Sequence, residues 1–98
     1  MEKRSPHCKL TEVKALIATG KVRTTHSARM GAQELGLSFT EMLDVVLALT
    51  KADFYKSMTT HPDQTVWQDV YRTSTSVGDV YLKLTVLNDL LVVSFKEL

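Results

Sequence analysis

The chain has one cysteine, Cys8, which leaves no intrachain disulfide and no zinc site built on a cysteine pair. A lone thiol fits a reducing compartment and is read as inert. The run of about eighteen apolar residues that a membrane span needs is absent. The segment Met1-Glu2-Lys3-Arg4-Ser5-Pro6-His7 lacks the apolar stretch of a signal peptide, so the expectation is a cytoplasmic protein. His7, His26 and His61 are scattered without metal-ligand spacing and are read as surface residues. Charge of one sign is also scarce. Twelve basic residues stand against eleven acidic ones, a net +1, which is not the electrostatic footprint of a dedicated nucleic-acid binder. Residues 51–98 carry five basic and six acidic residues, which argues against a broad phosphate-binding surface there. There is no repeat, linker or low-complexity segment.

What remains is a chain of 98 residues, 44% hydrophobic, enough for one domain, 1–98, around one core. The first half is punctuated like three short helices. Leu10, Val13, Leu16 and Ile17 follow helical spacing, with Gly20 placed as a cap. Thr24-Thr25 can start a second helix that carries Ala28, Ala32 and Leu35 and ends at Gly36. Ser38 and Glu41 form a capping box for a third, with the apolar stripe Phe39, Met42, Leu43, Val46 and Leu49.

After Thr50 the period changes to alternation. Phe54 to Thr59, Thr65 to Arg72, Val80 to Leu87 and Leu90 to Lys96 are predicted strands, parted by His61-Pro62-Asp63, the loop Thr73 to Gly78, and Asn88-Asp89. The predicted fold is therefore α+β, with three N-terminal helices packed on one face of a mostly antiparallel sheet of four or slightly more strands. The other face is left open.

Taking Asn88-Asp89 as a two-residue turn fixes the last hairpin. Leu87 then faces Leu90, Val86 Leu91, Leu84 Val93 and Leu82 Phe95, while Lys83 meets Ser94 and Tyr81 meets Lys96. Opposite side chains point to one face at about 4.5–5.5 Å between Cβ atoms, so a phenol and an ammonium are delivered together. The preceding strand has two possible parities. The favoured one puts Gln68, Val70 and Arg72 on the face of Tyr81 and turns Trp67 and Tyr71 inward. On the strand before it, Phe54, Lys56 and Met58 alternate with Tyr55 and Ser57, so Lys56 shares its face with apolar neighbours, along which its stem can lie. Arg72 has a competing fate, an ion pair with Asp69, Asp79 or Glu97. Lys83 is read as a solvated lysine.

Several strings, taken together, are specific: Asp53-Phe54-Tyr55-Lys56-Ser57-Met58-Thr59-Thr60, Trp67-Gln68-Asp69-Val70-Tyr71-Arg72, Val80-Tyr81-Leu82-Lys83 and Val93-Ser94-Phe95-Lys96-Glu97. With Met1-Glu2-Lys3-Arg4 and Val22-Arg23-Thr24-Thr25, they make the whole chain resemble the MqsR toxins, which belong with the RelE- and YoeB-like ribonucleases. The resemblance implies a RelE-like fold and a bacterial type II toxin that cuts mRNA at GCU-like sites. It also implies a cognate MqsA-like antitoxin partner, which itself binds DNA and zinc; neither property passes to this chain. Carried onto this sequence, the catalytic positions are Lys56, Gln68, Tyr81 and Lys96, with Tyr55, Met58 and Arg72 in substrate binding. One departure is Asn88, where the best-known member has a histidine, so no role of that imidazole transfers.

The residue types suit the chemistry. RNA supplies its own nucleophile, the 2′-hydroxyl, and needs a base, charge stabilisation at phosphorus and an acid for the 5′-oxygen, with no cofactor and no metal. On this reading Lys56 is base or electrostatic stabiliser, Tyr81 proton donor or phosphate ligand, Lys96 and Arg72 phosphate contacts, and Gln68 an orienting partner. A lysine base would need a lowered pKa. The alternative from another class is a non-catalytic interaction module that works only by binding a partner through the open sheet.

Overall fold

The computed structural model describes residues 1–98. In chain order the elements are β1 (Glu2–Lys3), α1 (Leu10–Ala18), β2 (Val22–Thr24), α2 (His26–Glu34), α3 (Phe39–Leu47), a 3₁₀ turn (Lys51–Asp53), β3 (Phe54–Thr59), β4 (Trp67–Thr75), β5 (Gly78–Val86) and β6 (Leu90–Glu97). The three helices and the change to strands after Thr50 match expectation. Each helix end has a local cause. Ser38 and Glu41 close the capping box of α3, at 3.1 Å to the Glu41 amide and 3.0 Å back to the Ser38 amide. Thr25 caps α2 by accepting from the Ala28 amide at 3.0 Å. Gly20 and Gly36 follow α1 and α2 with φ of +76° and +79°, a conformation costly for any residue with a Cβ.

The sheet corrects the expectation. It has six strands in the order β1-β3-β4-β5-β6-β2, and it is mixed because β2 runs parallel to β6. The helices do not all precede the strands, since β1 comes before α1 and β2 lies between α1 and α2. Both missed strands are too short, at two and three residues, for alternation to show in sequence. The loop expected over Thr73 to Gly78 shrinks to the turn Ser76-Val77, because β4 runs on to Thr75 and β5 begins at Gly78.

The core lies between the helices and one face of this sheet. Val13 of α1, Ala28 and Ala32 of α2, and Met42 and Val46 of α3 meet Tyr71, Val80, Leu82, Leu84, Leu90, Val92 and Phe95 of the strands, all buried. Each large apolar side chain so buried contributes roughly 1.5–3 kcal/mol. α2 sits especially close to β6: a Cβ on Gly31 would fall 1.8 Å from the Phe95 carbonyl oxygen and 3.7 Å from the Lys96 Cα. That seat sets the height of β6 and of Lys96. On β4, inside the sheet, the buried Asp69 carboxylate accepts from the His7 and Cys8 amides, at 2.9 and 3.0 Å, and anchors the segment leading into α1. The Cys8 thiol donates to Glu12 at 3.2 Å, and partial burial together with that carboxylate pushes its pKa up to about 12. It is a poor nucleophile at neutral pH, as the sequence suggested. No helix is long and apolar enough to cross a membrane.

Candidate active site on the open sheet face

The face turned away from the helices is organised in rows. Across β4, β5 and β6, Arg72 pairs with Tyr81, which pairs with Lys96. The next row runs from Lys56 on β3 through Val70 and Lys83 to Ser94. A third joins Glu2 of β1 to Met58 and Gln68. The expected pairing of Tyr81 with Lys96 is present, and so is the favoured parity of β4: Tyr71 pairs with Leu82 on the covered side and Arg72 with Tyr81 on the open side. Trp67 does turn away from the open face, but it stacks on His7 with ring centroids 5.6 Å apart and carries the Lys3 ammonium at 4.2 Å, so the chain's first segment covers it.

The hairpin differs from expectation near its tip. Val86 pairs with Leu90, Thr85 with Leu91 and Leu84 with Val92, which makes the turn three residues, Leu87-Asn88-Asp89, in place of two. A bulge at Val93 then absorbs the extra residue, so the register is as expected again from Lys83 and Ser94 outward. The Val93 carbonyl freed by the bulge accepts from the Thr25 hydroxyl at 2.8 Å. The cap of α2 thereby holds the β6 bulge.

A second bulge changes which residues of β3 share this face. Phe54 pairs with Tyr71 and Lys56 with Val70, leaving Tyr55 as the extra residue. Phe54 therefore turns to the covered side, where its ring meets Tyr71 edge-on at 5.5 Å, contrary to the expectation that it shares the face of Lys56. Tyr55 joins the open face: the Arg72 guanidinium lies 3.9 Å above its ring and the Lys56 ammonium 5.4 Å from it. Tyr81 is similarly flanked, by Lys96 at 5.2 Å and Lys83 at 5.9 Å. Lys56, Gln68, Tyr81, Lys96, Tyr55, Met58 and Arg72 thus all stand on one face.

The electrostatics are local. Of the five basic residues in 51–98, Lys56, Arg72, Lys83 and Lys96 gather on this face, so the near-neutral composition of that half concealed a basic patch. Its carboxylates are placed at the rim. Asp79 accepts from Ser74 at 2.8 Å, and along the β2 edge Arg23 pairs with Asp89 at 3.5 Å. Arg72 makes no ion pair with Asp69, Asp79 or Glu97; Asp69 is spent on the other side of the sheet. Lys56 alone has a close anionic partner, Glu2 at 2.8 Å, with its side chain 22% exposed against 59% for Glu2. Hydrogen bonding to Glu2 raises the Lys56 pKa, outweighing the opposite pull of desolvation, and the same contact lowers that of Glu2. Lys56 is held as an ammonium, the reverse of what a lysine base requires.

One residue of this face escapes the sequence reading. Glu2 gave no signal, since a two-residue strand has no period. Lys83, read from the sequence as a solvated lysine, is half-buried and stands in the row of Lys56. Comparison with known proteins shows the family of the chain. Residues 5–97 match the family model described as "Motility quorum-sensing regulator, toxin of MqsA". The mRNA interferase toxin MqsR of Escherichia coli (strain K12) is 58% identical over 97 residues, which is 99% of this chain and 99% of that protein. The chain belongs to the MqsR toxin family.

Proposed function

We propose that this chain is a cytoplasmic endoribonuclease toxin of a type II toxin–antitoxin system, acting as one RelE-like domain. It cuts mRNA at GCU-like sites without a metal ion and is neutralised by an MqsA-like antitoxin. The observation that carries this reading is the row Arg72–Tyr81–Lys96, with Lys56 beside it, on a sheet face that no helix covers, in a chain related over its whole length to an mRNA interferase.

The 2′-oxygen attacks the adjacent phosphorus, its proton passing to solvent water, as the bond from phosphorus to the 5′-oxygen breaks. Arg72 and Lys96 hold the non-bridging oxygens. Lys56, kept cationic by Glu2, stabilises the charge that builds on phosphorus. Tyr81 gives its phenolic proton to the departing 5′-oxygen, and Gln68 orients the phosphate or ribose. Tyr55 and Met58 offer flat and pliable surfaces to a base. A positioned acid is typically worth about 10²–10⁴ in rate and a charge-stabilising donor about 10²–10³, enough for a slow nuclease.

The test is the chemistry of the product ends, with growth and RNA integrity followed in parallel. Wild type should arrest growth and leave a 2′,3′-cyclic phosphate and a 5′-hydroxyl; Lys56→Ala and Tyr81→Phe should spare both cells and RNA. Intact RNA with wild type, or equal toxicity and cleavage in both variants, contradicts the reading and favours a module that acts by binding alone.

A further inference from the structure

The open face holds one cation that the cleavage chemistry leaves over. Lys83 stands on β5 two residues from Tyr81 and on the same side, about 7 Å further along the strand. It lies between Val70 of β4 and Ser94 of β6, and beyond Val70 the same row reaches Lys56. Val70 is wholly buried, although it points to the face that no helix covers and is no part of the core beneath the helices. Its cover therefore comes from its neighbours on the open face, among them the stems of Lys56 and Lys83 on either side. Lys83 is accordingly half-buried, whereas Arg72 and Lys96 of the Tyr81 row are exposed. A stem held in this way keeps the ammonium near one place, 5.9 Å from the centre of the Tyr81 ring.

That ammonium is uncompensated. The other half-buried lysines all have a partner: Lys14 donates to the Leu49 carbonyl at 2.8 Å, Lys56 to Glu2 at 2.8 Å, and Lys3 meets a nitrogen of the His7 ring at 3.0 Å. Lys83 has none, and it enters neither of the chain's ion pairs, Arg23 with Asp89 and Lys56 with Glu2. A partly desolvated cation without an anion beside it costs free energy that an anionic ligand would offset. Ser94, paired with Lys83 across the strands, is short and has a hydroxyl to offer the same ligand.

The scissile phosphate has two non-bridging oxygens, which Arg72, Lys96 and Lys56 already attend. A fourth cation is more than one phosphate requires. We propose that Lys83, with Ser94 beside it, binds the phosphate next to the scissile one, so that the open face grips two consecutive phosphates of a single-stranded RNA. The step of about 7 Å from the Tyr81 row to the Lys83 row is of the size that separates neighbouring phosphates in an extended strand. A phosphate there supplies the anion that Lys83 lacks, and it fixes which bond of the strand comes to lie over Tyr81. That this phosphate is the neighbour of the scissile one rests on the ribonuclease reading; the contact of Lys83 with an RNA phosphate does not.

Binding of the full chain to an uncleavable 2′-O-methyl RNA hexamer carrying GCU, followed against salt concentration, tests this. Lys83→Met keeps a stem over Val70 and removes the charge. It should weaken binding about tenfold and make the slope of log affinity against log salt shallower by about 0.7, the share of one phosphate of a single strand. Lys83→Arg should restore most of both, and thermal unfolding of the two variants should match wild type. A neutral methylphosphonate is then placed at each linkage of the hexamer in turn. At one linkage it should weaken wild type about as much as Lys83→Met does and abolish any further effect of Lys83→Met. That linkage should lie directly beside the bond that wild type cuts in the ordinary RNA. Affinity and salt slope unchanged in Lys83→Met overturn the proposal. So does a Lys83→Met penalty that persists at every methylphosphonate position, or a sensitive linkage that is itself the cut bond. A chain that shows the Lys83 pattern but cuts no RNA loses only the ribonuclease reading. One that cuts RNA with its affinity indifferent to Lys83→Met loses only the second phosphate contact.

Discussion

The two faces of the sheet are built from alternate residues of the same strands and obey opposite rules. On the covered face Val80, Leu82 and Leu84 are buried among other apolar side chains, and the buried Asp69 carboxylate is paired by two amides, the Tyr71 hydroxyl being left without a partner. On the open face Tyr81 and Lys83 stand between those same residues, and like charges lie side by side with aromatic rings between them. Crowded cations are tolerated on the open face because water still screens them, and an anionic substrate would relieve them. The lesson is that position parity, more than residue type, separates what folds this chain from what equips it.

The largest test of that separation compares neighbours on β5. Leu82→Ala should cost about 2–5 kcal/mol in denaturant unfolding, a large share of the roughly 5–15 kcal/mol a domain possesses. Lys83→Ala, one residue on, should stay within about 0.5 kcal/mol. Similar losses at both positions would break the comparison.

Gly31→Ala comes next. The added methyl cannot fit 1.8 Å from the Phe95 carbonyl, so α2 must lift from β6, at an overpacking cost of about 1–3 kcal/mol. Because Lys96 adjoins that contact, RNA cleavage should fall as well, and unfolding curves and cleavage assays on the same sample would show the two losses together. A loss of similar size, about 1–3 kcal/mol, is expected from Asp69→Asn, which replaces one of the two accepting oxygens by an NH₂ group and so leaves one of the two amides unpaired. Faster hydrogen exchange confined to residues 5–12 would locate it.

The Lys56–Glu2 pair sharpens the contrast through pH. The Lys56 pKa is raised, so its cationic contribution is full below the ordinary lysine range and is lost only as pH climbs through the raised value. Glu2 is lowered, so its half of the pair is present above the ordinary carboxylate range and is lost as pH falls through the lowered value. Glu2→Gln should therefore move the alkaline limb of the cleavage profile to lower pH with little change in unfolding. Lys56→Arg should keep part of the activity, as a charge stabiliser can and a base cannot. The smallest effect is Tyr71→Phe: deleting an unpaired buried hydroxyl should leave stability unchanged or raise it by up to about 1 kcal/mol in thermal unfolding.

Much of this layout was legible because it follows from short-range rules. The α3 capping box needs only Ser38 and Glu41, and the β4 parity follows from the size of Trp67 and Tyr71. The Tyr81–Lys96 register was legible for a less secure reason: the turn holds one more residue than expected, and Val93 bulges out to compensate. Bulges leave little trace in alternation, so plain alternation puts Phe54 and Tyr55 on the wrong faces. β2 was hidden because a three-residue strand gains its pairing from distant β6, not from its own pattern. The Glu2 contact with Lys56 was hidden for the same reason, as 54 residues separate the two.

The central claim is that the open face cleaves RNA while contributing little to stability. Tyr81→Phe tests it most directly, because one oxygen is removed from the middle of the Arg72–Tyr81–Lys96 row and the ring is kept. The account predicts that cleavage of a defined RNA by the purified variant falls by about 10²–10⁴, with thermal unfolding unchanged. Cleavage within twofold of wild type, by a variant equally stable, would contradict it.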